Sequence, residues 1–249
     1  MELSKRLRSI ADLIKEKGVV ADIGCDHAFT DIYLIQNNIS LSAIAMDVNK
    51  GPLEKALVHI NEYGLSDKIE LRLSNGFEKL RPNEADSVII SGMGGILIRD
   101  ILKAKLCVTH SIKEFVLSPQ SDQALVREFL LDNNIEIDYE KMVFDGGKFY
   151  NIIHANNLFN KTNNLKKEYE DIALNTGFSK DFLYEYGGYF LINKDDVFID
   201  FVEKEIVRIE NILRLMEENN ALSKGKLQKK KLDELKKYKG LLEGKKWND

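Results

Sequence analysis

An apolar run that ends in an acid and a glycine, Val20-Ala21-Asp22-Ile23-Gly24, continues into Cys25-Asp26-His27-Ala28 and gathers chemistry-bearing side chains close to the N-terminus. In an α/β fold, a strand entering a glycine turn is where a nucleotide-like cofactor meets the backbone. A dinucleotide site spaces three glycines as G-x-G-x-x-G so that a pyrophosphate can sit on the following helix N-terminus. Here Gly24 stands without the second and third, which argues against an NAD-dependent oxidoreductase. Asp22 and Asp26 would repel a pyrophosphate but suit a ligand with cationic groups, and S-adenosylmethionine carries a sulfonium and an ammonium. The local alternative is that such acids cap a turn or helix at a strand end, with His27 a capping or packed imidazole.

A second acid stands at the spacing such sites use. Asp47 closes the run Ser42-Ala43-Ile44-Ala45-Met46, roughly 20 residues beyond the first turn, where a ribose hydroxyl pair is gripped. NAD sites share that acid, so it does not choose between cofactors. Further on, Asp86-Ser87-Val88-Ile89-Ile90 enters Ser91-Gly92-Met93-Gly94-Gly95, whose glycines let backbone approach a ligand closely or simply form a tight strand-to-helix turn. Enzymes that methylate an exocyclic amine place Asn or Asp before Pro-Pro and an aromatic here, and that motif is absent. A ring nitrogen with its own lone pair, such as adenine N1, needs no strong base, so positioning supplies most of the catalysis. Gly92 and Met93 are therefore candidates for the transfer site. Asp26 is the candidate to take the N6 proton or stabilise a cationic product, with backbone carbonyls near Gly92 as the alternative. Phe29 and Met93 are candidate stacking surfaces, or core.

These residues need a scaffold that brings strand ends to one edge. Buried-strand patterns near 19–24, 42–48, 69–74, 86–91 and 114–118 alternate with helical patterns near 29–38, 52–64, 94–106 and 121–133, after a helix near 3–17. Ser121 or Asp122 is the expected cap of the helix at 121–133. Segments 139–144 and 149–155 flank Asp145-Gly146-Gly147-Lys148, an antiparallel hairpin signal. Five parallel strands ending in a hairpin describe an α/β, Rossmann-like, seven-stranded class I methyltransferase sheet, expected over residues 1–156.

A second domain, expected over 157–249, is rich in Asn, Lys and Glu, and an irregular aromatic stretch at 178–190 precedes two helical patterns. Phe198, Val202, Ile206, Ile209, Leu213 and Met216 recur at three and four, as do Leu232, Leu235, Tyr238 and Leu242 after the break Ser223-Lys224-Gly225. The pattern predicts an antiparallel, coiled-coil-like helical arm. Its first leg is acid-rich, and its second carries Lys224, Lys226, Lys229, Lys230, Lys231, Lys236, Lys237, Lys239, Lys245 and Lys246. In a chain of net charge −4 such a leg is often only a solvated face, yet phosphate binding needs local charge, not a basic total. Lys229, Lys230, Lys236 and Lys237 are the candidate RNA contacts. Arg6, on the first helix, is a further one, facing either a substrate at the sheet's carboxyl edge or water.

The 249 residues, 44% hydrophobic and 31% charged, suffice for a sizeable core with an appendage. No apolar run approaches the roughly 18 residues of a membrane span, and the start lacks the apolar region of a signal peptide. A cytoplasmic protein is expected, with a monomer favoured, although an exposed helical hairpin can also pair with itself. Cys25 and Cys107 provide no disulfide framework, and His27, His59, His110 and His154 form no cluster, so neither a disulfide nor a metal is expected.

In order along the chain, Leu3-Ser4-Lys5-Arg6-Leu7, Asp22-Ile23-Gly24-Cys25-Asp26-His27-Ala28, Gly51-Pro52-Leu53, Ser91-Gly92-Met93-Gly94-Gly95 and Ser118-Pro119-Gln120 resemble the bacterial tRNA (adenine(22)-N1)-methyltransferase family, TrmK. The resemblance runs from residue 3 to about 155, and the helical arm matches in kind. It implies methyl transfer from S-adenosylmethionine to N1 of adenine 22 in tRNA. It also implies methionine and ribose contacts from Asp22, Gly24, Asp26 and His27, and a carboxylate at Asp47 where the family often has Glu. Asn75-Gly76, where Asp-Gly is frequent, falls at the adenine edge, and Gly92, Met93 and Gly94 line the transfer site. The usual aromatic, Leu or Ile, Pro after the His-Ala pair is replaced by Phe29-Thr30-Asp31. A methyltransferase for another substrate would share every cofactor feature, and a non-catalytic RNA-binding protein would share the fold without binding the cofactor.

Overall fold

The computed structural model of the chain describes residues 2–157, 164–219 and 225–244. The break at Ser223-Lys224, and Lys245 and Lys246, lie outside the described residues. The chain divides into two compact units, Met1–Leu165 and Lys166–Asp249; the boundary read from the sequence, 156/157, falls at the end of the last strand.

In the first unit β1 (Val19–Ile23), β2 (Ser42–Asp47), β3 (Ile69–Leu73), β4 (Ser87–Ser91) and β5 (Glu114–Ser118) run parallel. β6 (Ile135–Asp145) and β7 (Lys148–Asn157) add an antiparallel hairpin, β7 pairing with β5, in the order β3-β2-β1-β4-β5-β7-β6. The helices are α1 (Lys5–Ala11), α2 (Phe29–Gln36), α3 (Lys50–Glu62), α4 (Gly95–Ala104), α5 (Leu106–Thr109) and α6 (Gln123–Asp132). β1, β4 and β5 are buried along nearly their whole length, which is why they read as continuous apolar runs. Strand order reverses at β1, with β2 on one side and β4 on the other, so a crevice opens at the carboxyl ends of β1 and β4.

The seven-stranded sheet is the one the sequence pattern describes, with three local departures. α1 stops at Ala11, not near 17: Leu13 and Ile14 continue in three-residue turns, and the N–H groups of Lys15 and Glu16 donate to the buried Glu114 carboxylate at 2.9 and 3.2 Å. β6 starts at Ile135, because a bulge between Ile137 and Tyr139 interrupts the alternation that marks a strand. At the start of α6, Asp122 takes φ +54° and makes no side-chain cap bond, while Ser121 Oγ donates to its carboxylate. That turn is held instead from α4, where Gly95 N–H donates to Ser121 O and a Cβ on Gly95 would lie 2.3 Å from Asp122 O.

Two polar clusters fix the hairpin. Arg127 of α6 is fully buried against Glu140 of β6 at 2.7 Å, with Asn151 of β7 alongside. His154 of β7 sits between Glu114, at 2.7 Å, and Asp138, and Ser87 donates to Glu114 at 2.7 Å. Burial works against the charge on His154, but its bonds to the two carboxylates outweigh that and raise its pKa. The same bonds outweigh burial at Glu114 and Asp138 and lower theirs.

The second unit is helical: α7 (Asn164–Thr176), α8 (Lys180–Tyr186), α9 (Tyr189–Ile192), α10 (Asp196–Glu218) and α11 (Lys226–Leu242). α10 and α11 are antiparallel, since Lys236 pairs with Glu210 and Lys239 with Glu203. Phe198, Val202 and Ile209 face Leu235, Tyr238 and Leu242, all buried. The aromatic stretch expected to be irregular forms α8 and α9 instead. Ser179 caps α8 by accepting from Phe182 N–H, Phe190 stacks on Phe198 at 3.8 Å, and Tyr238 OH donates to Gly187 O at 2.6 Å.

The His154 contribution is complete below the histidine's ordinary 6.5 and fades as pH rises through its raised folded value. The carboxylate contributions are complete above the ordinary 4.5 and 3.8 and fade as pH falls through the lowered folded values. His154→Gln is expected to cost about 3 kcal/mol between those limits, and less above them. Urea unfolding across the pH range measures this, and a cost that is flat with pH would contradict it.

Candidate cofactor and active site

β1 carries Asp22 to the crevice and ends at Ile23, after which the chain turns on Gly24 at φ +79°. Gly24 and Cys25 N–H both donate to Met46 O of β2, at 2.8 and 3.0 Å. Asp26 (φ +51°) and Ala28 (φ +57°) are also left-handed, a conformation that costs an L-residue about 1 kcal/mol. Buried Cys25 and Ala28 and the Ala28 N–H to Cys25 O bond hold that loop against its strain. It forms one wall of a cavity of about 350 Å³, to which Asp22, Gly24, Asp26, His27 and Phe29 contribute. Ser91 and Gly92 of the β4 end and Gln120 beyond β5 contribute the other side, with Arg6 and Leu7 from α1.

The structure thus brings together Asp22, Gly24, Asp26, His27 and Gly92 as the sequence suggests. Met93 is not among the residues lining this cavity; its Cε lies 2.4 Å from where a Cβ on Gly24 would be, so it packs against the turn. Asp47 is not in the wall either. It ends β2 beside the loop, where its Oδ1 accepts from Asn49 N–H at 2.8 Å. Asn75 and Gly76 line a separate hollow of about 280 Å³ with Leu97 and Ile101 of α4, and Asn75 donates to Glu78.

Charge in the cavity is uneven. Burial, opposed by the hydrogen bond with Asp31 and reinforced by Asp47, raises the Asp22 carboxyl to about 7. Burial and then the charge of Asp22 push Asp31 well above the usual carboxylate range. Burial and the neighbouring carboxylates push the Cys25 thiol up as well. The cation in this wall is Arg6. Its main-chain N–H donates to Asp145 Oδ2 at 3.0 Å, its guanidinium lies over the Tyr150 ring at 5.0 Å, and its Nη1 is buried without a partner.

Sequence reasoning placed Arg6 with the RNA contacts and gave no site role to Gln120, quoted only within the family motif, or to Asp31, quoted only as a departure from it. Gln120 N–H donates to Met93 O at 2.9 Å, which ties the loop after β5 to the loop after β4. Its signal was its place at the end of an apolar run. Asp31 resembled an ordinary acid in a helix's first turn, where the dipole favours one. In the second unit, Lys236 is paired with Glu210 at 2.7 Å, and Lys237 donates to Thr176 O and lies over the Phe178 ring. Lys229 and Lys230 are exposed and have no ion-pair partner among the described residues.

A family model described as a methyltransferase domain matches residues 3–153. Over 177 residues, 71% of this chain and 72% of the relative, the chain is 32% identical to a Bacillus subtilis tRNA (adenine(22)-N(1))-methyltransferase. The chain belongs to the tRNA (adenine(22)-N1)-methyltransferase family. A solved member, TrmK of M. capricolum in complex with S-adenosyl-homocysteine, aligns with a TM-score of 0.77 and 29% identity over 97% of this chain and all of that one. A Streptococcus pneumoniae chain crystallised with S-adenosyl-L-methionine aligns at 0.78 and 25% over the same shares. The wall fits such a ligand in this methyltransferase: a buried carboxyl, Asp22, suits a cationic end, and the unpartnered Arg6 Nη1 suits a carboxylate.

Gly24→Ala is expected to destabilise the fold by about 1–2 kcal/mol, from the left-handed backbone and the contact with Met93. Adding Met93→Ala should return the contact part and leave the backbone part. Chemical denaturation of the two variants measures both, and full recovery in the double variant would contradict the strained loop.

Proposed function

We propose that this chain is an S-adenosylmethionine-dependent enzyme that methylates N1 of adenine 22 in tRNA. The observation that carries the reading is the acidic, glycine-turned loop Asp22–Ala28 facing Gly92 across one cavity, in a chain of this family. When bound, S-adenosylmethionine supplies an electrophilic methyl group on a cationic sulfur.

This chain's residues then have separable tasks. Asp22 faces the cofactor's cationic end, and Arg6, held by Asp145 and Tyr150, faces its carboxylate. Asp47, at the β2 end, faces the ribose, and Asn75-Gly76 border the adenine edge. Gly92, exposed and without a side chain, leaves room for a base at the β4 end, and Gln120 stands beside it with an amide able to bond a base edge. Adenine N1 lies on the pairing edge, so the target must be unpaired before it enters. Asp26 is exposed at the rim, where its carboxylate can accept the N6 proton or face the cationic product. His27, Phe29 and His59 form a ring cluster there, with Phe29 4.5 Å from His59, suited to stack a base. Lys229 and Lys230 are the arm's candidate phosphate contacts. No helix among the described residues is long and apolar enough to cross a membrane, and a tRNA substrate places the enzyme in the cytoplasm.

Incubated with labelled S-adenosylmethionine, unmodified tRNA should gain N1-methyladenosine, and a transcript with adenine 22 replaced should not; equal labelling of both would contradict the site. Asp26→Asn should lose at least about tenfold in turnover at saturating cofactor; unchanged turnover with cofactor bound would remove Asp26 from the chemistry. Lys229→Gln with Lys230→Gln should weaken tRNA binding, lower its salt dependence by up to about two phosphate contacts, and leave cofactor affinity unchanged.

A further inference from the structure

The loop's most unusual feature lies behind the cavity wall. Asp31, in the first turn of α2, is fully buried, and neither of its oxygens has a donor in hydrogen-bonding geometry. The group that faces it is the carboxyl of Asp22, itself 4% exposed and part of the cavity wall. Two carboxyls hydrogen-bond to each other only if one keeps its proton. No lysine, arginine or histidine forms an ion pair with either of them among the described residues. The remaining charged or titratable groups around Asp22 are Asp47 at the β2 end, Cys25, Asp26 and His27 in the loop, and Arg6 from α1. Most of these add negative charge or none. Arg6 lays its guanidinium over Tyr150, with Nη1 unpartnered near Gly92, and makes no ion pair with Asp22.

We propose that Asp31 is a positioning residue that acts through Asp22: Asp31 keeps its proton and donates it to the Asp22 carboxyl throughout, and Asp22 gives up its own proton to solvent when a cationic ligand end reaches it. The proposal rests on the reading of the cavity as an S-adenosylmethionine site and adds that binding there is coupled to proton release. Asp31 accordingly keeps the cavity wall from carrying two adjacent negative charges once Asp22 ionises.

Calorimetric titration of the full-length protein with S-adenosylmethionine, in buffers of different protonation enthalpy, tests this. At about pH 6, wild type should release close to one proton, and its Kd should fall by up to tenfold per pH unit until it levels near 7. Asp31→Leu removes the donor that supports the Asp22 carboxylate, whereas Asp31→Asn keeps one. Asp31→Leu should still release a proton at about pH 8, where wild type releases little, and its Kd should level only above 7, while Asp31→Asn should follow the wild-type profile to within about threefold in Kd. The cofactor's own amine is common to all three proteins, so the difference between them isolates the pair. Binding without proton release in wild type, or a wild-type pH profile in Asp31→Leu, overturns the proposal and leaves the cofactor site intact. Absence of S-adenosylmethionine binding in wild type overturns both. If Asp31→Leu does not fold, the wild-type proton count decides.

Discussion

Asp22 and Asp31 are both excluded from water and neither is paired with a cation among the described residues, so ionising Asp22 becomes favourable when a positive group arrives beside it. The surrounding structure serves that condition. Gly24, Asp26 and Ala28 take left-handed backbone, and the loop wraps the end of β1 with Asp22 in the cavity wall. Met93 packs against the turn, and Met46 O of β2 holds it with two hydrogen bonds. A pyrophosphate finds negative charge here where a dinucleotide site would offer glycine backbone, and a sulfonium with an ammonium finds a wall suited to it.

The antiparallel hairpin matters to the site through α1. Asp145, at the hairpin turn, accepts from Arg6 N–H, and Tyr150 lies beneath the guanidinium, so the cation reaches the cavity from an element outside the sheet. The hairpin is in turn fixed by buried charge, Arg127 with Glu140 and His154 with Glu114 and Asp138. Glu114 also captures the main chain just after α1. Stability at this edge of the sheet and placement of Arg6 are therefore linked through the same two strands and one helix.

Much of this was legible in the residues. Runs such as 86–91 and 114–118 are buried on both faces and cannot be much else than central strands, and Asp22, Gly24 and Gly92 lie at strand ends where parallel sheets place ligands. What was not legible depends on contacts remote in sequence. Arg6 and Asp145 are 139 residues apart, so no spacing reveals that the arginine faces the cavity. Asp31 has the sequence context of a helix N-terminal acid, and only its burial opposite Asp22 distinguishes it. The spacing of Asp47 points to a ribose and the family resemblance puts Asn75-Gly76 at the adenine edge, yet none of the three lines the main cavity. On the arm, the lysine count concealed a division between Lys236 and Lys237, engaged within the unit, and Lys229 and Lys230, which face solvent.

Amide hydrogen exchange with and without S-adenosylmethionine tests the central claim, that the acidic loop after β1 and the glycine turn after β4 together hold the cofactor. Slowed exchange at residues 24–28 and 92–94, with the lysine-bearing helix unchanged, is the result this account predicts. Slowing confined to the hollow beside α4 or to the helical unit, with the loop after β1 unaffected, would contradict it.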